Sequence, residues 1–346
     1  MLALQAVTPA DLTAAVPDVL LPAEARKVIA AVHRGEPVAA GSAVRRSAAQ
    51  AVREAGELPG LEVVAETASA LDPFVKYLLA SRGARFEAVR IPLAHPERFV
   101  VCVSSQVGCA LACAFCATGR LGLERNLAAW EIVEQVRVVR ARLARGRVHG
   151  VVFQGMGEPL ANLDAVLQAI RVFREPCALG IDARAITVCT AGLPGGIRRL
   201  AAEAPRVRLA ISISSAIAAH RKAVMPIADR HDLEDVLAAA ADHARATGLA
   251  PMWAVTLLDG VNDSAADAGA LAERARSFHA ATGARPRISL LDYNAIGDGD
   301  PFRRSPRMPA FRDVLSAAGL ASHRRYSGGS DVGAACGQLA NTMVAL

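Results

Sequence analysis

"CVSSQVGCALACAFCATG", residues 102–119, holds four of the seven cysteines of this 346-residue chain. Three of them, Cys109, Cys113 and Cys116, are spaced Cys-x3-Cys-x2-Cys just after an apolar stretch of strand length, 98–104. Thiolates in such a group suit zinc or iron–sulfur chemistry. A structural zinc site closes with four ligands, usually as two pairs, and no second pair follows here. Cys102 stands apart from the tight group, and its part in the chemistry has to be found elsewhere in the chain.

Outward from this loop the chain alternates short apolar strands with amphipathic helices. After the strand at 98–104 come a helix at 127–145, strand 149–154 and helix 162–174, then strand 184–190 and helix 194–204. Strand 207–214, helix 232–247, strand 251–258, helix 263–282, strand 287–292 and helix 308–319 continue the pattern. Six β-α units predict an α/β fold with a parallel sheet wrapped by helices. Six rather than eight units predict a partial (β/α)6 barrel, with ligands at the C-terminal ends of the strands.

Residues 1–94 read as a small N-terminal module. Helical patterns at 21–35 and 43–56 end at Gly35 and Gly56, where left-handed caps fit. Strand-like runs follow at 61–67, 74–80 and 86–93. The core is expected over 95–329. A C-terminal segment, 330–346, carries the lone Cys336 behind a Gly-rich turn at Gly328–Gly329.

No apolar run approaches the roughly 20 residues needed to cross a bilayer. The start, "MLALQAVTPADL", lacks a basic region and meets Asp11 early, unlike a secretory signal. A cytoplasmic protein is expected, with thiols kept reduced and available as ligands or catalysts. Nothing suggests an obligate assembly, so a monomer is expected. The net charge of +6 fits a polyanionic partner. It fits equally an Ala/Arg-rich composition, since only Lys27, Lys76 and Lys222 are lysines.

Three thiolates leave one iron of a 4Fe–4S cluster open, and S-adenosylmethionine can chelate that iron through its amino and carboxylate groups. With Phe115 before the last cysteine, the triplet is the radical-SAM signature. The whole stretch resembles the RlmN/Cfr family of radical-SAM RNA methyltransferases. "RNLAAWEIVEQV" (125–136), "VVFQGMGEPLANLDAV" (151–166), "ITVCTAGLPGGI" (186–197), "LAISIS" (209–214), "LLDGVNDS" (257–264) and "AACGQLA" (334–340) follow in the family's order.

The resemblance implies methylation of an adenine ring carbon in ribosomal or transfer RNA, with carbon-2 expected ahead of carbon-8. One cluster per chain is implied, held by Cys109, Cys113 and Cys116, with two S-adenosylmethionine molecules per turnover. An electron donor such as a flavodoxin or ferredoxin is also implied. A ring carbon of adenine is a poor nucleophile, and the family works around it in two stages. Cys336 matches the residue that first accepts a methyl group and then carries it as a radical to the base. Cys102 matches the resolving cysteine, which frees the product through a transient Cys102–Cys336 disulfide. Glu87, in "FEAVRIP", matches the proton acceptor; a solvated glutamate on an edge strand is the alternative. Gly157 and Glu158 of "GMGEP", Cys189, Ser212, Ile213, Ser214 and Asn294 match S-adenosylmethionine contacts. Cys177 matches no motif position and reads as a structural thiol.

This chain departs from the family at Ser214, where a His is usual, at Cys189, where Ser is usual, and at "GGSDVG" (328–333). Candidate phosphate contacts are "VRVVRARLARGR" (136–147), "FRRSPR" (302–307) and "HRR" (323–325), the first equally readable as a solvated helix face. Two other functions remain open at this point. One is a radical-SAM enzyme of the same fold acting on a non-RNA substrate. The other is a cluster-bearing sensor without catalysis.

Overall fold

The computed structural model describes residues 1–297 and 299–340; residues 341–346 of the expected C-terminal segment lie outside the described residues. Ten strands form one sheet: β1 (Glu62–Ala68), β2 (Val75–Ser81), β3 (Ala84–Pro92), β4 (Arg98–Val103) and β5 (Arg147–Phe153). It continues through β6 (Ile186–Thr190), β7 (Arg208–Ser212), β8 (Met252–Leu257), β9 (Arg287–Asp292) and β10 (Ser322–Arg325). Their order across the sheet is their order in the chain. From β1 to β4 the pairing is antiparallel. From β4 to β10 it is parallel.

Three helices precede the sheet: α1 (Pro9–Ala15), α2 (Pro22–Arg34) and α3 (Arg46–Ala55). A short α4 (Ala117–Leu121) follows the cysteine loop. The crossovers are α5 (Ala129–Ala141), α6 (Leu163–Arg174), α7 (Pro194–Glu203), α8 (Ala218–Val224), α9 (Leu233–Thr247), α10 (Ala265–Thr282) and α11 (Met308–Ala317). The six strand–helix units expected from periodicity are β4 to β9. Their apolar faces meet in a core that includes Val101, Phe153, Val188, Ile211, Trp253 and Leu290.

Three features differ from the sequence reading. First, β10 adds a seventh parallel strand; "SHRR" has no apolar alternation by which a strand would be recognised. Second, α3 does not end in a left-handed glycine. Gly56 is extended (φ −138°) and passes straight into a short pairing with Leu2–Ala3, where a Cβ would strike the Leu4 side chain. Gly35, in contrast, does close α2 with φ +78°. Third, the strands of the expected N-terminal module run directly into the barrel sheet, with Val89 of β3 opposite Cys102 of β4.

Two histidines are buried as neutral groups. Burial, with Arg137 and Arg140 nearby, pushes His33 down to about 3, and burial pushes His243 down to about 4. Unfolded, both take a proton near pH 6.5, so the unfolded state binds more protons below that pH. Stability therefore falls on acidification, by about 1.4 kcal/mol per pH unit for each histidine between roughly pH 6.5 and the folded value. Urea unfolding at pH 7 and pH 5 measures this. Replacing His243 by Phe flattens the slope; an unchanged slope would refute the assignment.

Candidate active site

The site is built at the C-terminal ends of the parallel strands. Just beyond β4, Gln106–Gly108 pairs with Leu123–Asn126 and pinches the cysteine loop at its neck. Cys109 N–H donates to Gly122 O at 2.8 Å. Gly108 adopts φ +74°, and a Cβ there would fall on the Gly122 carbonyl, so the neck requires glycine. Inside the loop Cys116 N–H donates to Cys113 O at 3.1 Å.

Residues of the sequence motifs brace this loop. Gln135 accepts from Ser104 N–H at 2.8 Å and donates to Ser104 O at 3.0 Å. Gln106 donates to Asn126 Oδ1 at 2.7 Å and accepts from Glu158 N–H at 2.8 Å. Asn262 of "LLDGVNDS" donates to Ser214 O at 2.6 Å and Thr256 O at 2.9 Å. Ser214 itself has φ +56°, a conformation a non-glycine residue adopts only when held.

Cys109, Cys113 and Cys116 line one cavity together with Gly157, Glu158, Cys189, Ser212, Ser214 and Cys336. Ile213 and Asn294 are not on its wall. Ile213 is buried, with its carbonyl accepting from Arg221. Asn294 donates instead to Cys336 O at 3.2 Å and Ser327 Oγ at 3.4 Å. A second cavity is lined by Cys102, Arg325, Tyr326 and Cys336. Cys336 and its neighbour Gly337 are on both walls, as are Cys116, Gln154 and Gly155.

The cavities hold thiols whose charged forms burial disfavours. Burial, then the neighbouring thiols, pushes Cys113 up to about 12. Burial pushes Cys109 up to about 11 and Cys189 to about 12. Burial, then Cys336, raises Cys102 further still. Glu158 is likewise raised by burial, although its oxygens accept from Leu160 N–H at 3.0 Å and Ala191 N–H at 2.9 Å. A buried carboxylate of this kind gains most from an incoming cation.

Among the described residues no three such side chains meet around a single metal ion. A cuboidal cluster asks less of them, since each of three thiolates binds a different iron. The all-thiol donor set fits such a cluster.

Glu87 is wholly buried rather than solvated, because β3 is an interior strand with β2 and β4 on either side. It pairs with Lys76 at 3.1 Å and accepts from Ala340 N–H at 2.9 Å. The β1–β2 turn clasps the Cys336 segment. Asp72 accepts from Gly329 N–H at 2.9 Å and Tyr326 O–H at 2.7 Å, and Asp331 accepts from Ser69 O–H at 2.7 Å. A Cβ on Gly328 would meet the Phe74 ring at 2.6 Å, which accounts for glycine at that departure from the family.

A Radical SAM superfamily profile matches residues 103–267. A probable RNA methyltransferase of Sorangium cellulosum is 59% identical, covering 92% of this chain and 87% of its own. A dual-specificity RNA methyltransferase RlmN of Syntrophobacter fumaroxidans is 43% identical, covering 82% and 81%. The chain belongs to the RlmN/Cfr family of radical-SAM RNA methyltransferases. A crystal structure of a radical SAM methyltransferase from Sphaerobacter thermophilus superposes with a TM-score of 0.86 at 32% identity, covering 99% of this chain and 100% of that one. The protein is thus an enzyme with the radical-SAM fold, and the family works with an iron–sulfur cluster and S-adenosylmethionine.

Sequence reasoning missed Lys76, Arg221 and Asp72, and gave Arg325 another role. Arg221 is buried and donates to Ser212 O at 2.8 Å and Ala191 O at 2.7 Å, tying two strand ends together. A single arginine in "AHRKAV" carries no local sign of that role. Arg325 departs from the phosphate contact expected of "HRR". Along β10 side chains alternate, so Arg324 pairs with Asp292 at 2.6 Å near the surface while Arg325 lines the second cavity with Cys102 and Cys336. In "FRRSPR", Arg304 and Arg307 pair with Asp292 and Asp263, both at 3.0 Å. In 136–147, Arg142 pairs with Glu66 at 3.2 Å. Cys177 is half-buried and donates to Glu175 at 3.3 Å.

Proposed function

We propose that the enzyme methylates carbon-2 of an adenine in ribosomal or transfer RNA, with Cys336 as methyl carrier and Cys102 as resolving thiol. One observation carries this: Cys336 stands on the walls of both cavities, one holding the cysteine triplet and the other holding Cys102. A methyl carrier must meet the cofactor in one place and be released in another. An enzyme of this fold acting on small molecules has no need of that arrangement.

In this reading Cys109, Cys113 and Cys116 hold one 4Fe–4S cluster, which when bound supplies the electron that cleaves S-adenosylmethionine. Two molecules of that cofactor are used per turnover. Glu158 receives its amino group, and Gly157, Cys189, Ser212 and Ser214 surround it. Asn294 and Ser327 hold the backbone of Cys336 so that its sulfur projects between the cavities. Glu87 takes the proton from the RNA adduct, and the Cys102 thiolate attacks Cys336 sulfur to release the product. Residues 1–94 serve as an accessory RNA-binding module, 95–329 as the radical-SAM core and the segment from 330 as the carrier. No helix among the described residues is long and apolar enough to cross a membrane. A cytoplasmic monomer reduced by a flavodoxin or ferredoxin completes the proposal.

The test is anaerobic incubation of reduced, cluster-loaded enzyme with ribosomal and transfer RNA and methyl-labelled S-adenosylmethionine, followed by nucleoside mass spectrometry. Label in 2-methyladenosine is the expected result. Label in 8-methyladenosine would correct the carbon. Cofactor cleavage with no labelled nucleoside from either RNA would refute the RNA substrate.

A further inference from the structure

We propose that Cys189 is a second exchange partner for Cys336, able to draw it into a Cys189–Cys336 disulfide in place of the Cys102–Cys336 one. The proposal rests on the carrier role of Cys336 given above and goes beyond it.

Cys102 lies on β4 and Cys189 on β6, with β5 between them. Cys102 is in register with Val152 and Val188 with Phe153, so Cys189 sits a little further along toward the cavity mouth. Two strand spacings separate their backbones by about 9–10 Å. That exceeds the roughly 4–7 Å between Cα atoms that a disulfide spans, so these two thiols do not join each other within an intact sheet. Cys336 is placed between them. It shares the first cavity with Cys189 and the second with Cys102. It rides on a segment with left-handed glycines at Gly329, Gly333 and Gly337, whose backbone can turn without a Cβ penalty. Cys189 has only a weak hydrogen bond, from its Sγ to Gln154 Oε1 at 3.7 Å.

Arg325 supplies the second, independent observation. It lines the second cavity with Cys102 and Cys336, its charge is favoured by those thiols and by Cys189, and its Nη1 is buried without a hydrogen-bond partner. A cation beside these thiols stabilises whichever sulfur carries negative charge during exchange.

The exchange balances without any oxidant or reductant. Cys189 thiolate attacks Sγ of Cys336, the Cys189–Cys336 bond forms and the Cys102–Cys336 bond breaks. The electron pair leaves on Cys102 sulfur, which takes up the proton Cys189 gave up. The result ties the carrier to Cys189 on the wall of the cofactor cavity and restores a free Cys102. While it lasts, S-adenosylmethionine is kept from the contact it would make there, so the Cys189–Cys336 form is an inactive, reversible state.

Cluster-loaded holoenzyme whose Cys336 peptide carries no methyl increment, prepared by loading the cluster onto the isolated chain without S-adenosylmethionine, is treated anaerobically with oxidised glutathione, free thiols are blocked, and linked peptides are mapped by mass spectrometry. Cluster absorbance is followed to confirm that the triplet stays ligated. Glutathione first forms a mixed disulfide on Cys336, releasing reduced glutathione, and a neighbouring thiolate then displaces the second glutathione. Wild type is expected to give both linkages to Cys336. Cys189→Ser gives the Cys102 linkage alone. Cys102→Ser gives the Cys189–Cys336 peptide, and the Cys102→Ser/Cys189→Ser double variant gives only glutathionylated Cys336; Cys102→Ala serves if the serine variant folds poorly. A Cys102–Cys336 link in wild type with only glutathionylated Cys336 in Cys102→Ser would overturn the proposal and leave the carrier role standing. Absence of any intramolecular link to Cys336 in wild type would overturn both.

Discussion

Replacing Cys336 by alanine abolishes methyl transfer to RNA, a fall on the order of 10³-fold or more, because a covalent carrier has no substitute in the site. The loop itself survives the change. Its anchors are to backbone: Cys336 N–H donates to Ser327 Oγ at 2.8 Å, and Asn294 donates to Cys336 O at 3.2 Å. Neither needs the sulfur. Cluster content and reductive cleavage of S-adenosylmethionine are therefore retained, which separates loss of the carrier from loss of the fold. The wild-type peptide containing Cys336, from anaerobically purified enzyme, should carry a one-methyl mass increment. Methylation that persists in Cys336→Ala would remove the carrier mechanism and return the non-RNA radical-SAM function to first place.

Replacing Lys76 by methionine destabilises the fold by roughly 3–5 kcal/mol at neutral pH, the cost of taking the cation away from a buried carboxylate. The pair it breaks is almost fully enclosed: Lys76 and Glu87 side chains are 5% and 0% exposed, with 3.1 Å between Nζ and Oε1. The double variant Lys76→Met/Glu87→Gln recovers most of this loss, because a neutral amide in the same place has far less to lose by burial. Urea unfolding of the two variants beside wild type measures it. A Lys76→Met variant within about 1 kcal/mol of wild type would mean that the pair is hydrated or replaceable. The pair also reaches the carrier segment, since Glu87 accepts from Ala340 N–H at 2.9 Å. Losing Lys76 should therefore loosen the hold on residues 334–340 as well, visible as faster amide exchange there.

The alternating strands and helices were legible because each is set by near neighbours. A strand such as Ile186–Thr190 or a helix such as Leu163–Arg174 shows its period within a few residues. The cysteine triplet was legible for the same reason, since its spacing is short and its neck residues lie close by in the chain. The polar strand Ser322–Arg325 and the extended conformation of Gly56 were not. The first is held by pairing with β9, the second by the approach of Leu4, and neither partner is local.

The site divides along the same line. By itself the sequence determined the six-unit order of the core and singled out the cysteine triplet, Cys102, Cys336 and Glu87 as the groups to watch. Only the tertiary structure decided that Cys336 lines two cavities, that Lys76 pairs with Glu87, that Arg325 lines the cavity of Cys102 and that Cys189 shares the other cavity with Cys336. The backbone's hydrogen-bonded periods are written in adjacent residues, whereas the burial and pairing of a charge or thiol depend on which distant segments the folded sheet brings against it.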